Sequence, residues 1–584
     1  MTGERATIAV IIALLGVLVG VPFVLNTGDG RTSSEDARRL IVVTPHTQQI
    51  RSEFGRAFSD WHQRTHGEPV AIDFRTPGGT SEIRRQLEAQ FRAAVAGGQI
   101  ALTGETGDTA EVESGVIGYD LMFGGGSFDH GTLKRGIRVK VDGRDVDLPM
   151  SVPATLTQTQ LDTLFGPNEV GTELLYDPEK YWIGTALSSF GIIYNRPILE
   201  QLGLPEPDAW HDVTDPTLIG WVALADPRSS GSITTTFDSI LGNLGWDEGW
   251  RVLRGMCGNS RSIANSSTKP PLDVGAGQAA MGLAIDFYGR GQAQVLAEAG
   301  DDRLGYAEPI GAVYIDADPV SVVRGGPDPE LANRFVEFML TEEAQALWQF
   351  PALRRDEAKS NPVGPNGEPM GPRANELRRM PVRRVMYETH FDHFKDKVRP
   401  FEIASKVSNP GWRTGVQVMM GAFGIDSSDQ CRAAWAALAS AEATPGFPPN
   451  TLAEMRERFY AFPETPIELV QGVPAYAELS DAARSALPTD RMLRLDTLAG
   501  MLAAGEIEAP AAALDELRSL AETRTTLPFT EATYRAVRNE WRDPSVEARL
   551  RIEYTKFFRA SYARVVELHE QTRVAVAAAE ETRP

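Results

Sequence analysis

Cysteine is nearly absent. The 584 residues include only Cys257 and Cys431, too few for a disulfide framework or a thiolate metal cluster. Both read as small buried apolar residues. Basic residues are in deficit: 58 Lys+Arg against 79 Asp+Glu leave a formal charge of −21. Nucleic acid is therefore a poor main partner, because binding phosphates needs clustered Lys and Arg. No repeat of fixed period occurs. There is no G-x-S-x-G elbow and no P-loop, so hydrolase or ATPase chemistry has no motif to rest on. Three near-motifs also fall short. Gly275-Ala276-Gly277-Gln278-Ala279-Ala280 fits a dinucleotide pattern, but Pro270-Pro271 precede it where a long strand should stand. His62 and His66 are four apart, yet Gln63 replaces the glutamate a zinc protease needs. His390 and His393 flank Asp392 and read as a surface pair. Disorder as the main state is also excluded, since 42% of residues are hydrophobic and 23% charged. The length predicts three or more structural units.

The run from Ala6 to Leu25 carries no charge. As a helix it would span about 30 Å, the thickness of a bilayer core. Arg5 precedes it, and neither an Ala-x-Ala cleavage signature nor a lipoprotein cysteine follows. Residues 1–30 therefore read as an uncleaved signal anchor, with a removed signal peptide as the alternative. Either one exports the rest of the chain.

From Leu40 onward, apolar runs alternate with amphipathic helices. Leu40 to Val43 is a strand signal, and Thr44-Pro45-His46 a turn. Ile50, Phe54, Phe58 and Trp61 follow at helical spacing. Val70 to Phe74 and Asp120 to Phe123 predict two more strands, with a helix on Ile83, Leu87 and Phe91 between them. Strand–helix alternation of this kind predicts a parallel sheet covered by helices, with ligands beyond the carboxyl ends of its strands. That puts His46, Gly79-Thr80 and Gly124-Gly125-Gly126 on one rim. Further strands are predicted at 221–224 and 282–285, and extended chain at 305–323. Residues 352–376 read as a loop and the remainder as helical, ending in a long helix after Asp543-Pro544. Val546, Leu550, Tyr554, Phe557 and Val565 form the expected stripe of that helix.

Five segments occur in order: IVVTPH, DLMFGGG, GTALSSFGIIYN, WHDVTDPTLIGWVALADPRSSGS and PDPELANRFVEFMLTEEAQALWQF. Over roughly residues 38–430 they resemble the extracellular solute-binding proteins of ABC importers, in the ferric-iron, sugar-phosphate, phosphonate and polyamine branch. The resemblance implies an α/β, two-lobed type II periplasmic-binding-protein fold, without catalysis or a required cofactor. Its crossing strands would lie near 183–195 and 305–323. Lobe I would be 38–185 with 307–440 and lobe II 186–306. Residues 441–584 lie outside the family's usual length, as a C-terminal α-helical extension. Its stripe must bury against the lobes or a partner, so its deletion would leave ligand affinity largely intact but cause aggregation or loss of a partner. The partners implied are a small ligand trapped between the lobes, an ABC permease, and the membrane through the N-terminal helix. The location implied is extracytoplasmic or periplasmic, anchored in the cytoplasmic membrane by residues 6–25. A membrane-anchored sensor or interaction module on the same fold is the alternative.

Candidate ligand-binding residues follow from these positions. His46 lies in the first strand-to-helix turn, where the iron binders of the family carry a histidine ligand. Gly79 and Thr80 precede a helix, so their N–H groups can face an anion, although Thr80 is equally a natural cap. Ser188 and Ser189 need hydrogen-bond partners within an apolar run; a ligand and backbone carbonyls are both candidates. Ser229, Ser230 and Ser232 follow a strand and open a helix. Asp286 and Tyr288 end another strand; the iron branch places two adjacent tyrosines near this point, and here Phe287 stands beside Tyr288. His46 and Tyr288 are metal ligands only if the solute is ferric iron. The donor-rich rim suits an anionic organic solute such as a phosphate or phosphonate ester, ahead of iron or a polyamine.

Overall fold

The computed structural model describes residues 37–103, 109–141, 143–309, 312–408, 410–467 and 525–581. The Ala6–Leu25 run lies outside them. Among the described residues, no helix is long and apolar enough to cross a membrane.

The architecture is mixed α/β. Strand Arg38–Val43 pairs in parallel with Val70–Arg75 on one side and Leu121–Phe123 on the other. Helix Gln48–His66 buries Ile50, Phe54, Phe58 and Trp61, and helix Thr80–Ala96 buries Ile83, Leu87 and Phe91. A second parallel set consists of Val222–Ala225 between Ser260–Ala264 and Met281–Ile285. Strand Ile183–Asn195 joins the two sets, and all of its residues are buried. Its first half pairs antiparallel with Ile315–Val323, from Ile183↔Val320 to Ser189↔Ile315. Its second half pairs antiparallel with Met281–Ile285 and Leu304–Ala307. A strand buried on both faces needs an uninterrupted apolar run, which is why this segment lacks polar–apolar alternation. The sequence also forms short hairpins that periodicity does not reveal, such as Ile137–Val141 with Arg144–Leu148.

The C-terminal region packs its stripe against the rest of the chain. Helix Pro544–Glu581 buries Leu550, Tyr554, Phe558, Tyr562, Val565 and Leu568 in the core that holds Trp210, Phe237, Trp250 and Leu253. The stripe runs through Phe558, while Phe557 is only half-buried. A strand pair, Glu464–Ile467 with Thr525–Pro528, interrupts the helices. Residues 416–440 share the same core through Val416, Phe423, Trp435 and Leu438, although the sequence reading groups them with 38–185. Val416–Ile425 is a π-helical stretch, closed by Asp426 N donating to Gly421 O at 2.8 Å. Arg254 locks these parts together. Its guanidinium lies 4.2 Å from the Phe423 ring centre and 4.8 Å from those of Phe462 and Phe558, and it donates to Phe459 O at 2.6 Å. The rings supply cation–π attraction to a buried charge.

Candidate functional site: a cleft between the strand sets

A cavity of about 610 Å³ opens where strands of both sets end. Pro45-His46, Gly78-Gly79-Thr80 and Gly125-Gly126 border it from the first set, and Ser229 to Ser232 with Ile285, Phe287 and Tyr288 from the second. Helices Thr80–Ala96, Ser127–Arg135 and Gly231–Leu244 all begin at this rim. Their free N–H groups and dipoles favour negative charge there. Ser230 caps its own helix, its Oγ accepting from Ile233 N at 3.4 Å, so capping and lining coincide in one residue. The rims approach closely at Gly231, where a β-carbon would lie 3.0 Å from Thr80 Oγ1 and 3.1 Å from Asp129 Oδ2.

His46 is buried, with Nε2 2.9 Å from Asp318 Oδ2 and 3.1 Å from Arg379 Nη1. Burial, then the nearby guanidinium of Arg379, hold its pKa well below the ordinary histidine value, so the ring is neutral at neutral pH. Its Nδ1 has no hydrogen-bond partner. The ring packs against Gly124, whose φ of +91° and missing β-carbon make room for it: a β-carbon there would stand 2.4 Å from His46 Cε1.

Arg379 is the central cation of the cleft. It pairs with Asp318 and lies 4.1 Å from the Phe287 ring centre, and its Nε has no hydrogen-bond partner. Burial lowers its pKa to about 10, against the opposing pull of Asp286 and Tyr288, so it stays charged at neutral pH. A second arginine, Arg413, donates to Thr235 Oγ1 and to Gly231 O, the latter at 3.1 Å, and sits over Phe128. Asn265 to Thr268 complete the polar wall.

Of the residues singled out from sequence, His46, Gly79, Thr80, Ser188, Ser229, Ser230, Ser232 and Tyr288 line this cavity. Ser189 and Asp286 do not. Successive strand residues face opposite ways, so Ser189 turns its back on the cleft that Ser188 faces. Ser189 bonds Glu308 through Oγ and donates through its N–H to Asp286 Oδ2 at 3.2 Å. Asp286 is buried behind the wall, and burial raises its pKa to about 7. Burial also raises the Tyr288 phenol, opposed by Arg379.

Sequence reasoning missed Arg379, Arg413, Asp316 and Asp318. The two aspartates did carry a signal. They interrupt an otherwise apolar strand at Ile315–Val323, and a buried carboxylate calls for a basic or N–H partner.

Asp316 also yields a pH expectation. Its Oδ2 accepts from Ser127 N at 3.1 Å; burial, with Glu173 adding to it, raises its pKa from 3.8 to about 7. The folded state therefore holds this proton more tightly than the unfolded chain does. Stability from this group is full below about pH 4 and is lost as pH rises to about 7. Asp316→Asn cannot ionise. Its melting temperature relative to the unmodified protein should rise between about pH 4.5 and 7.5. Thermal unfolding without ligand checks this, and an offset independent of pH would contradict it.

A hollow of about 660 Å³ lies elsewhere, bordered by Arg56, Arg64 and Met370. Two of its arginines are already paired, Arg56 with Glu53 and Arg64 with Glu343. The cleft instead leaves buried polar atoms unsatisfied, which is what a binding site requires.

Part of the chain is similar to known proteins. Residues 154–369 match the family model described as bacterial extracellular solute-binding protein. The phosphoglycerate transport regulatory protein PgtC of Salmonella typhimurium is 27% identical over 166 residues, 28% of this chain and 40% of that protein. An uncharacterized protein of Haemophilus influenzae is 28% identical over 161 residues, 27% of this chain and 44% of that one. The chain thus spans less than half the length of these relatives. Among solved structures, iron-bound HitA from Pseudomonas aeruginosa aligns at 16% identity and TM-score 0.43, covering 65% of this chain and 97% of that one. AfuA from Actinobacillus pleuropneumoniae, with fructose-6-phosphate bound, aligns at 18% identity and TM-score 0.40, covering 53% and 81%. Overlaps this loose carry no argument about the ligand. The joining strand, the serine-rich turn and the strand bearing Asp316 and Asp318 all fall inside the matched segment. Residues 154–369 are thus similar to the bacterial extracellular solute-binding proteins.

Proposed function

We propose that the protein is the extracytoplasmic solute-binding component of an ABC importer, and that its cleft takes an organic anion such as a phosphate or phosphonate ester. The observation that carries this reading is Arg379, a buried guanidinium in the cleft with an unused Nε, set among several helix N-termini. An anion gains charge-assisted hydrogen bonds there, each worth about 1.5–3 kcal/mol. Local donors must supply this attraction, because the chain's overall charge opposes it. Ferric iron fits less well. His46 Nε2 and Asp318 are engaged with Arg379, whose charge repels a cation, and Tyr288 has Phe287 rather than a second phenol beside it. The name of one relative is compatible with an anion, since it concerns phosphoglycerate transport.

In this reading the first strand set forms one lobe. The second set, together with the C-terminal core, forms the other. Ligand closes them about strands 183–195 and 315–323, and a permease recognises the closed form. The word regulatory in the name of PgtC favours a second reading, in which the closed form signals to a membrane partner. Calorimetric titration of the full chain with 3-phosphoglycerate, fructose 6-phosphate and ferric citrate tests the ligand class. Heat from at least one organic phosphate and none from iron is expected. A tight ferric complex with no response to the phosphates would reverse the assignment.

A further inference from the structure

Ser188 and Asp316 are register partners on the antiparallel strands Ile183–Asn195 and Ile315–Val323. Side chains directly opposite on one face stand with β-carbons about 4.5–5.5 Å apart. Both residues border the cavity, and both are buried, at 4% and 5% exposure. Such a pair would ordinarily satisfy itself, hydroxyl to carboxylate. Here Ser188 Oγ and Asp316 Oδ1 each lack a hydrogen-bond partner, while Asp316 Oδ2 is fixed by Ser127 N. Leaving two adjacent buried polar oxygens unmet is costly unless a third group meets both.

The chemistry of that group is constrained. It must accept the serine proton and offer a proton to the carboxylate. A hydroxyl does both at once. An ammonium could donate to each oxygen but would leave the serine proton unused, and the Arg413 charge, which acts on Asp316, disfavours a second cation nearby. Above about pH 7, where Asp316 is ionised, a bare phosphate or carboxylate oxygen would face it as a like charge.

We propose that Ser188 and Asp316 form a hydroxyl-reading subsite, which makes the solute an organic anion bearing a hydroxyl beside its charged group. This rests on the anion reading above and adds the residues that set specificity within it. Both lie on the strands that join the two sets, so an occupied subsite bridges those strands from within the cleft.

The test titrates the full chain at about pH 8.5, where Asp316 is ionised, with glycerol 3-phosphate, n-propyl phosphate and O-phosphoethanolamine. Glycerol 3-phosphate should bind about 10- to 100-fold more tightly than propyl phosphate, the effect of hydrogen bonding to a charged buried group. In the Ser188→Ala, Asp316→Ala double variant that ratio should fall to within about threefold. The ratio is internal to each protein, so a partly unfolded sample, which weakens both probes alike, does not imitate the result. Equal binding of the two probes by the unmodified chain, or a preference surviving in the double variant, overturns the subsite and leaves the anion reading standing. Preference for phosphoethanolamine over glycerol 3-phosphate overturns the hydroxyl assignment in favour of an amine. Absence of binding by all three overturns the anion reading and the subsite with it.

Discussion

Arg379→Met is expected to remove anion binding, by more than about 100-fold in affinity, and to destabilise the ligand-free protein by about 3–5 kcal/mol. The two losses have separate causes. Binding is lost because the charged donor set of the cleft is gone. Stability is lost because Asp318, 1% exposed, is left without the cation that pairs with it. Its remaining contacts are the Gly125 N–H at 2.9 Å and the neutral His46 ring. Adding Asp318→Asn neutralises that carboxylate and should restore most of the stability. It should restore none of the binding. Urea unfolding and calorimetry on the single and double variants separate the effects. A double variant that recovers both would mean that Arg379 only pairs with Asp318 and has no part in binding.

Deleting residues 544–584 is the second large expectation. Leu550, Tyr554, Phe558, Tyr562, Val565 and Leu568 are each at most 7% exposed, and all belong to the core around Trp250. Burying a large apolar side chain is worth about 1.5–3 kcal/mol, so six of them contribute on the order of 10 kcal/mol, comparable to a whole domain's stability. Tyr554 additionally bonds Thr465, and Arg254 would lose the Phe558 ring. The truncated chain should aggregate and show no cooperative melting transition. A soluble truncation with unchanged ligand affinity and a cooperative transition would contradict this packing.

The contrast between these two regions shows what the sequence made legible. Helix Gln48–His66 was readable because Ile50, Phe54, Phe58 and Trp61 mark one face at helical spacing, and the strands on either side because their apolar runs end in turn residues. Loops at strand ends follow from that alternation, which is why His46, Thr80 and Ser230 are legible as rim residues. Ser189 shows the limit of that reasoning. Sequence proximity to Ser188 suggested a pair, but the period of two sends adjacent side chains to opposite faces. Arg379 was invisible for another reason. It enters the cleft through long-range pairing of Met380–Pro381 with Ala186–Leu187, and no local pattern encodes that contact. Phe557 and Phe558 lie one position apart on the helix, and only the facing surface decides which is buried.

Native mass spectrometry of the full chain purified from its own host tests the central claim most directly. The expected result is a single organic anion bound at one per chain, carrying a hydroxyl, and absent from Arg379→Met prepared in the same way. An iron adduct without an organic component, or the same organic adduct on Arg379→Met, would contradict the account.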